Sequence, residues 1–249
     1  MNRITFKHAK INGGKSTFFY TSANKYQTQV QIQEVLIQQH YRMGKIKKNM
    51  TIIDCGANIG LASLYFKDWA KVIYSLEPSS KNFECLLENT SLYKNIKPFM
   101  VGLAARTSYE WLKTNGDSPV GESLFGDGPP IEQVKLFSIE EFMNAKEIKH
   151  VDLLKIDTEG AEYIILPSQA FGRMAPKIDY IIGEAHYFNT LIPEYIPLIL
   201  SDHGYDTKFL PIHNIWLSLN WDEGVKKTYK VEKQTIFFAK RKDLPWPKS

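Results

Sequence analysis

The feature that most constrains the fold of this chain is a glycine-rich turn directly after a short apolar run. Residues 50–53 predict a β-strand, and the apolar segment Leu61–Phe66 predicts the helix that follows it. Between them the sequence reads Asp54-Cys-Gly-Ala-Asn-Ile-Gly60. Glycine permits positive φ and lets a ligand approach the backbone, because no Cβ stands in the way. The pattern therefore predicts a strand, a ligand-binding turn and a helix in succession.

The turn departs from the dinucleotide-binding fingerprint in two ways. Asn58 stands at the position of the second glycine, and Asp54 adds a carboxylate just before the first. That carboxylate would repel a pyrophosphate, whereas it favours the cationic sulfonium and α-amino groups of S-adenosylmethionine. These two residues disfavour a dehydrogenase and favour a methyl donor as the ligand.

A second acid follows the next predicted strand. Residues 72–76 form an apolar run that ends in Glu77-Pro78. An acid at the tip of the second strand can accept hydrogen bonds from both hydroxyls of a ribose. Asp54 could instead cap the following helix, and Glu77 could lie exposed at a strand end. Because both acids stand at the carboxyl ends of their own strands, the combination favours a nucleoside pocket.

Composition favours one large folded domain. The chain has 249 residues, of which 43% are hydrophobic, and this is enough for a full core. Cys55 and Cys85 are too few for a disulfide framework and lack zinc-site spacing. A formal net charge of +4 does not require a nucleic-acid partner. No apolar run could span a membrane, and residues 1–7 lack the apolar block of a signal peptide, so we expect a cytoplasmic enzyme.

Strands that alternate with helices predict an α/β fold with a mostly parallel, doubly wound sheet. Residues 1–49 predict an N-terminal extension, with a hairpin around residues 12–14 and a helix over residues 27–43. Residues 50–249 predict the main domain, with a β-rich, glycine-containing insert at about 108–137 that could be a lid or a passive loop. The remaining predicted elements are helices over residues 81–89, 138–144 and 191–200 and strands over residues 98–103, 151–156, 179–183, 205–210 and 234–240.

A second block of acids follows the strand at residues 151–156. The sequence there reads Asp157-Thr158-Glu159-Gly160-Ala161-Glu162, and the next predicted strand ends in Glu184-Ala185-His186. Ligands of a doubly wound sheet bind at the carboxyl ends of its strands. We therefore expect these acids at the same edge of the sheet as Asp54 and Glu77.

The glycine turn, Leu76-Glu77-Pro78, the block from Leu154 to Glu162 and Glu184-Ala185-His186 together resemble the FkbM family of S-adenosylmethionine-dependent methyltransferases. The resemblance implies a class I methyltransferase (Rossmann-like) fold with a seven-stranded sheet whose last strand is antiparallel. It also implies O-methylation of a hydroxyl on a saccharide or on a glycosylated or natural-product small molecule. The predicted cofactor-binding residues are Asp54, Gly56, Ala57, Asn58, Gly60, Glu77 and Pro78.

Methyl transfer to a hydroxyl requires alignment of the acceptor oxygen and removal of its proton. The candidate catalytic residues are Asp157, Glu159, Glu184 and His186. In one mechanism His186 or Asp157 removes the proton directly. In the other, Asp157 and Glu184, with His186 as an optional third ligand, hold a divalent cation that acidifies the hydroxyl, and oxygen-rich ligation favours Mg²⁺. Glu159 could equally cap the next helix, His186 could be structural, and Lys155 is expected to pair with a carboxylate.

Two other functions fit parts of the sequence. The basic carboxyl-terminal segment, which includes residues 240–242, would suit an RNA ribose 2'-O-methyltransferase. The nucleoside pocket alone would also suit a catalytically silent nucleoside-binding or scaffolding domain. The leading hypothesis remains an enzyme with a small-molecule or glycan acceptor.

Overall fold

The computed structural model describes residues 2–7, 15–20, 28–29, 31–37, 39–43, 47–114, 122–186, 192–209, 216–219, 227–230 and 235–247. The turn predicted around residues 12–14, the insert residues 115–121 and the predicted strand ends at residues 210 and 234 lie outside these ranges. Within the described ranges, none of the helices is both long enough and apolar enough to cross a bilayer.

The strands are β1 (Asn2–Lys7), β2 (Lys15–Tyr20), β3 (Met50–Cys55), β4 (Ala70–Leu76), β5 (Ile96–Phe99), β6 (Gly102–Ala104), β7 (Ser108–Thr114), β8 (Glu122–Ser123), β9 (Pro130–Ser138), β10 (Val151–Ile156), β11 (Ile178–Ala185), β12 (Tyr205–Phe209), β13 (Trp216–Leu219), β14 (Lys227–Lys230) and β15 (Thr235–Arg241). The α-helices are α1 (Leu61–Phe66), α2 (Ser80–Thr90), α3 (Ile139–Ala145), α4 (Glu162–Ile165), α5 (Gln169–Met174) and α6 (Tyr195–Asp202). A π-helix spans Ile32–Ile37, and a 3-10 helix spans Ala175–Lys177.

Seven strands form the central sheet, in the order β12-β15-β11-β10-β3-β4-β5. β15 runs antiparallel to both of its neighbours, whereas β11, β10, β3, β4 and β5 pair in parallel. This confirms the predicted doubly wound sheet with an antiparallel last strand. The chain moves outward from β3 through β4 to β5 and then returns to the other side of β3 with β10, so a topological switch point lies between β3 and β10.

The central strands β3 and β10 are buried on both faces of the sheet, which explains their nearly continuous apolar sequences. Ile53 and Leu154 pack into the core on one face of the sheet, and Ile52 and Leu153 pack into the core on the other. Successive side chains of a strand point to opposite faces, so two consecutive residues pack into different cores. The sheet is therefore a rigid platform for the residues that follow its strands.

The amino-terminal extension contains the predicted hairpin, since β1 and β2 pair antiparallel. The helix predicted over residues 27–43 is wrong at its carboxyl end, because residues 39–43 are not helical. Gln39 adopts φ 55°, and the His40 N–H donates to the Glu34 carbonyl at 3.1 Å. A left-handed residue at this position terminates a helix, and glutamine gives no sequence sign of it.

The insert is β-rich, as predicted. Its strands form a four-stranded sheet in the order β6-β9-β7-β8. The single strand predicted over residues 98–103 is two strands, because β5 stays in the central sheet whereas β6 pairs with β9 in the insert. After β9, Ser138 caps helix α3: its Oγ accepts a hydrogen bond from the Glu141 N–H at 3.2 Å.

Candidate active site

The glycine turn follows β3 at the switch point of the sheet. Gly56 and Gly60 have φ values of 74° and 92°, and Asn58 also has a positive φ of 50°. A Cβ on Gly56 would lie 1.8 Å from the carbonyl oxygen of Asp157. Gly56 is therefore required by close packing against the end of β10 as well as by its backbone conformation.

Asp54 lies beneath this turn and is fully buried. Its Oδ2 accepts a 2.6 Å hydrogen bond from Ser63, and its Oδ1 lies 3.2 Å from Lys155 Nζ. Lys155 Nζ also donates to the Gly56 carbonyl oxygen at 2.7 Å. Burial would lower the pKa of Lys155, but the charges of Asp54 and Asp157 outweigh burial and raise it. The predicted pairing of Lys155 with a carboxylate is confirmed, and Asp54 contacts the turn through this lysine.

Glu77 follows β4 and is bound by backbone donors. Its Oε2 accepts from the Asn58 N–H at 2.8 Å, and its Oε1 accepts from the Ser79 N–H at 2.9 Å. Burial raises the pKa of Glu77 to about 7, although these two hydrogen bonds oppose the shift. Nearby, Ser79 Oγ and Glu122 Oε2 are buried without a hydrogen-bond partner among the described residues. Pro78 packs beside Gly102: a Cβ added to Gly102 would lie 3.4 Å from Pro78 Cγ.

The acids at the ends of β10 and β11 surround His186. Its Nε2 lies 3.6 Å from Glu159, 3.7 Å from Glu184 and 3.9 Å from Asp157, and its Nδ1 lies 3.5 Å from Glu162. Burial would lower the pKa of His186, but Glu162 and the other surrounding carboxylates raise it well above its usual value. The carboxylates therefore favour the protonated form of His186.

Glu162 and Glu159 have different structural positions. Glu162 is fully buried and accepts from the Thr158 N–H at 2.5 Å and from the Gly160 N–H at 3.0 Å. Glu162 therefore stabilises the loop that precedes α4. The side chain of Glu159 is 38% exposed, and burial of the remainder raises its pKa. The structure thus assigns the loop-stabilising contacts to Glu162 and leaves the Glu159 carboxylate facing His186.

Asp157 and Glu184 have pKa values shifted in opposite directions. Burial would raise the pKa of Asp157, but Lys155 at 3.4 Å, His186 and a hydrogen bond from Tyr41 lower it. Burial and the charge of Asp157 raise the pKa of Glu184 well above its usual value. The site therefore combines a carboxylate that stays ionised with a carboxyl group that readily holds a proton.

The insert contacts both halves of the site. Ser123 of β8 donates to the Glu159 carbonyl oxygen at 2.7 Å. The side chain of Glu132 on β9 accepts a hydrogen bond from the Ser80 N–H at 2.9 Å, three residues after Glu77. The described part of the insert is thus fixed to the edge of the sheet where the acids lie.

A family model described as the methyltransferase FkbM domain matches residues 54–207. The chain belongs to the FkbM methyltransferase family. The FkbM resemblance expected from the sequence is confirmed, and the protein is a methyltransferase.

Relatives of this FkbM chain include two fungal proteins. Methyltransferase sdnD of Sordaria araneosa is 24% identical over 185 residues, which cover 59% of this chain and 71% of the relative. Methyltransferase 1 of Beauveria bassiana is 25% identical over 158 residues, which cover 53% of this chain and 64% of the relative. Among solved structures, the precorrin-6y C5,15-methyltransferase of Geobacter metallireducens shares the fold with a TM-score of 0.51 and 12% identity, covering 90% of this chain and 94% of that one.

Two site residues that sequence reasoning missed precede the matched FkbM region. Tyr41 donates a hydrogen bond of 2.9 Å to Asp157 Oδ2. Glu34 is 6% exposed, and burial together with the charge of Asp157 raises its pKa to about 7. The available signal was the acid itself, because Glu34 interrupts the apolar series of Ile32, Val35 and Leu36.

The structure groups two of the predicted metal-ligand candidates with a third acid. Among the described residues, ligand atoms of Asp157, Glu162 and His186 lie within 4.8 Å of one another, whereas the prediction grouped Asp157 and His186 with Glu184. Both oxygens of Glu162 already accept hydrogen bonds from the protein. A divalent cation at this FkbM site would therefore compete with the hydrogen bonds that stabilise the loop before α4.

Part of the basic carboxyl-terminal segment is paired within the FkbM chain. Lys240 Nζ donates to Asp206 at 2.7 Å. Arg241 lies 3.3 Å from Asp179 and 2.6 Å from Asp243. These two positive charges are thus balanced by neighbouring carboxylates and do not form a free basic patch.

Proposed function

We propose that this protein is an S-adenosylmethionine-dependent O-methyltransferase that acts on a hydroxyl of a saccharide or of a glycosylated or natural-product small molecule. The observation that carries the proposal is the contact between Gly56 and the Asp157 carbonyl at the switch point. It joins the glycine turn to the acid cluster, so a ligand held by the turn would border the residues able to accept a proton. Membership of the FkbM family supports the reaction class.

The cofactor residues would be Gly56, Ala57, Asn58 and Gly60 of the turn with Glu77 and Pro78. Three groups suit a ribose: the buried carboxyl of Glu77, Ser79 Oγ and Glu122 Oε2, the last two of which have no hydrogen-bond partner within the described part of the chain. Each could exchange a hydrogen bond with a hydroxyl, which would compensate for its burial. When bound, S-adenosylmethionine would supply a methyl group on a positively charged sulfur.

Asp54 would act as a positioning residue in this proposal. It is fully buried, and its charge holds Lys155, which in turn donates to the Gly56 carbonyl oxygen. Asp54 would thus fix the conformation of the turn from below. A role of this kind differs from direct attraction of the cofactor, because Lys155 already neutralises the carboxylate.

For the chemical step, Glu184 is the favoured general base among the four candidates. Burial raises the pKa of the Glu184 carboxyl, so its ionised form is a stronger base than an exposed carboxylate. Asp157 stays ionised, and its negative charge would stabilise positive charge beside the methyl group. His186 would stabilise the ionised form of Glu184 before proton transfer, since its Nε2 lies 3.7 Å from Glu184 Oε1. Glu159, at the exposed side of His186, would contact the acceptor.

Catalysis through Mg²⁺ has weaker support, because both oxygens of Glu162, one of the clustered donors, already accept hydrogen bonds from the protein. Chelation tests this alternative. We expect methyl transfer to survive prolonged dialysis against EDTA. Loss of activity that returns with added Mg²⁺ would instead establish the metal-dependent route.

The decisive experiment is transfer of labelled methyl from S-adenosylmethionine to a panel of glycans, glycolipids, polyketide glycosides and RNA. We expect label on a hydroxyl of a small molecule or glycan. We also expect calorimetric binding of the cofactor, which Glu77→Ala should abolish. Absence of any cofactor binding by the unmodified protein would disprove the proposal, and label on RNA ribose would replace the acceptor class.

A further inference from the structure

The segment that precedes the family-matched region contributes two side chains to the acid cluster. Tyr41 Oη lies 2.9 Å from Asp157 Oδ2, and its ring lies 5.8 Å from Lys155 Nζ and packs beside Phe66. Glu34 is 6% exposed and lies within electrostatic reach of both Asp157 and Glu184. This segment is therefore one wall of the cluster.

The cluster contains more acidic than basic groups. Among the residues that the structure describes, its positively charged groups are Lys155 and His186. Its carboxyl groups are Glu34, Asp157, Glu159, Glu162 and Glu184. An excess of buried carboxyl groups is stabilised by a cationic ligand, because Coulomb attraction is strong where water is excluded.

Two of these carboxyl groups have an oxygen whose hydrogen-bonding capacity the described residues leave unused. Glu34 Oε1 and Glu184 Oε1 are buried, and neither has a hydrogen-bond partner among the described residues. The Tyr41 hydroxyl and Lys155 instead engage Asp157 Oδ2, which leaves Asp157 Oδ1 on the side of His186. Glu184 Oε1 already lies 3.7 Å from His186 Nε2, so the Glu34 oxygen is the one best suited to face added positive charge.

We propose that Glu34 attracts the positive charge of the methyl donor and that Tyr41 is a positioning residue that holds Asp157 for the same purpose. The proposal rests on the proposed function, because it requires the cofactor to border the acid cluster. S-adenosylmethionine carries a positive sulfur, whereas its product S-adenosylhomocysteine carries a neutral one. Glu34 and Tyr41 would therefore make the enzyme bind the donor in preference to the product, and product release would follow methyl transfer.

Calorimetry with both ligands at pH 8 tests this role without an acceptor. We expect Glu34→Gln to weaken S-adenosylmethionine binding about tenfold and to leave S-adenosylhomocysteine binding within about threefold. Tyr41→Phe should change the ratio of the two affinities in the same direction by about threefold. Glu110→Gln, which removes an exposed acid, and Tyr65→Phe, which removes a hydroxyl from another ring beside Phe66, are the matched controls.

The possible outcomes separate the two proposals. If the unmodified protein binds neither ligand, the proposed function fails. If it binds both, but the two variants leave the affinity ratio unchanged or weaken both ligands equally, the function stands and the role of Glu34 and Tyr41 is wrong. Circular dichroism of each variant reports folding independently of binding, so a variant that fails to fold is recognised, and the other variant then decides.

Discussion

Lys155 Nζ donates a 2.7 Å hydrogen bond to the Gly56 carbonyl oxygen, which ties the fourth parallel strand of the core to the glycine turn. The same ammonium lies 3.2 Å from Asp54 and 3.4 Å from Asp157. One buried cation thus supports the turn and both carboxylates. The cofactor side and the acid cluster are mechanically and electrostatically one unit.

Replacement of Lys155 should therefore destabilise the whole protein. We expect Lys155→Met to lower the free energy of unfolding by about 3–5 kcal/mol, because it leaves the charge of Asp54 buried without its partner. Urea unfolding measures this loss. Lys97→Met, at an exposed position, should change stability by less than about 0.5 kcal/mol. Equal effects of the two substitutions would contradict the role given to Lys155.

For a substitution of Gly56, the stability cost of close packing can be separated from the cost of its backbone conformation. Gly56 and Gly204 both have positive φ, at 74° and 86°, but a Cβ on Gly204 would have no atom within 4 Å. Gly204→Ala should therefore cost only the conformational strain, about 1–2 kcal/mol. We expect Gly56→Ala to cost at least about 2 kcal/mol more, because its Cβ would overlap the Asp157 carbonyl oxygen. Thermal unfolding of both variants gives the comparison, and similar costs would argue against the close packing.

Glu34 should make stability depend on pH. Its pKa is raised from 4.5 to about 7 in the folded protein, so between these values the folded state holds a proton that the unfolded state has lost. Its contribution to stability is thus fully present below pH 4.5 and is lost as the pH rises through about 7. We expect Glu34→Gln to be more stable than the unmodified protein above pH 7, by at most about 3 kcal/mol, with no gain near pH 4. A gain that is the same at both pH values would refute this assignment.

Substitution of Glu184 tests its proposed role as the base that accepts the proton of the acceptor hydroxyl. We expect Glu184→Gln to lower kcat by about 100-fold or more, because the amide cannot accept the proton, while S-adenosylhomocysteine affinity stays within about threefold. Rates of labelled methyl transfer and calorimetry measure the two effects. Glu110→Gln should leave both unchanged, since this acid is exposed on β7. A Glu184→Gln variant with normal kcat would exclude Glu184 as the base.

Much of the framework could be predicted because it depends on local patterns. The apolar run before Asp54 and the run before Asp157 are adjacent parallel strands, and the acids after each strand lie at one edge of the sheet. Strand polarity and the position of the acids in the sequence are sufficient for that result. The capping of α3 by Ser138 follows from its own four residues in the same way.

The amino-terminal segment could not be predicted in this way. Helical periodicity suggested a helix through residue 43, but Gln39 turns into the left-handed region and redirects the chain. Tyr41 reaches Asp157 only because of that change in direction. A bond between residues separated by 116 positions is set by packing, which no local pattern reports.

The sequence by itself determined the order of strands and helices, the glycine turn and the acids that follow the strands, because these depend on periodicity, backbone freedom and residue chemistry. Only the tertiary structure decided which groups neutralise one another. Burial and distance make Asp54 a partner of Lys155, keep Asp157 ionised, raise the pKa of Glu184 and bring Glu34 and Tyr41 into the site. Charge interactions depend on separation in space and on exclusion of water, and both arise only when distant parts of the chain pack together.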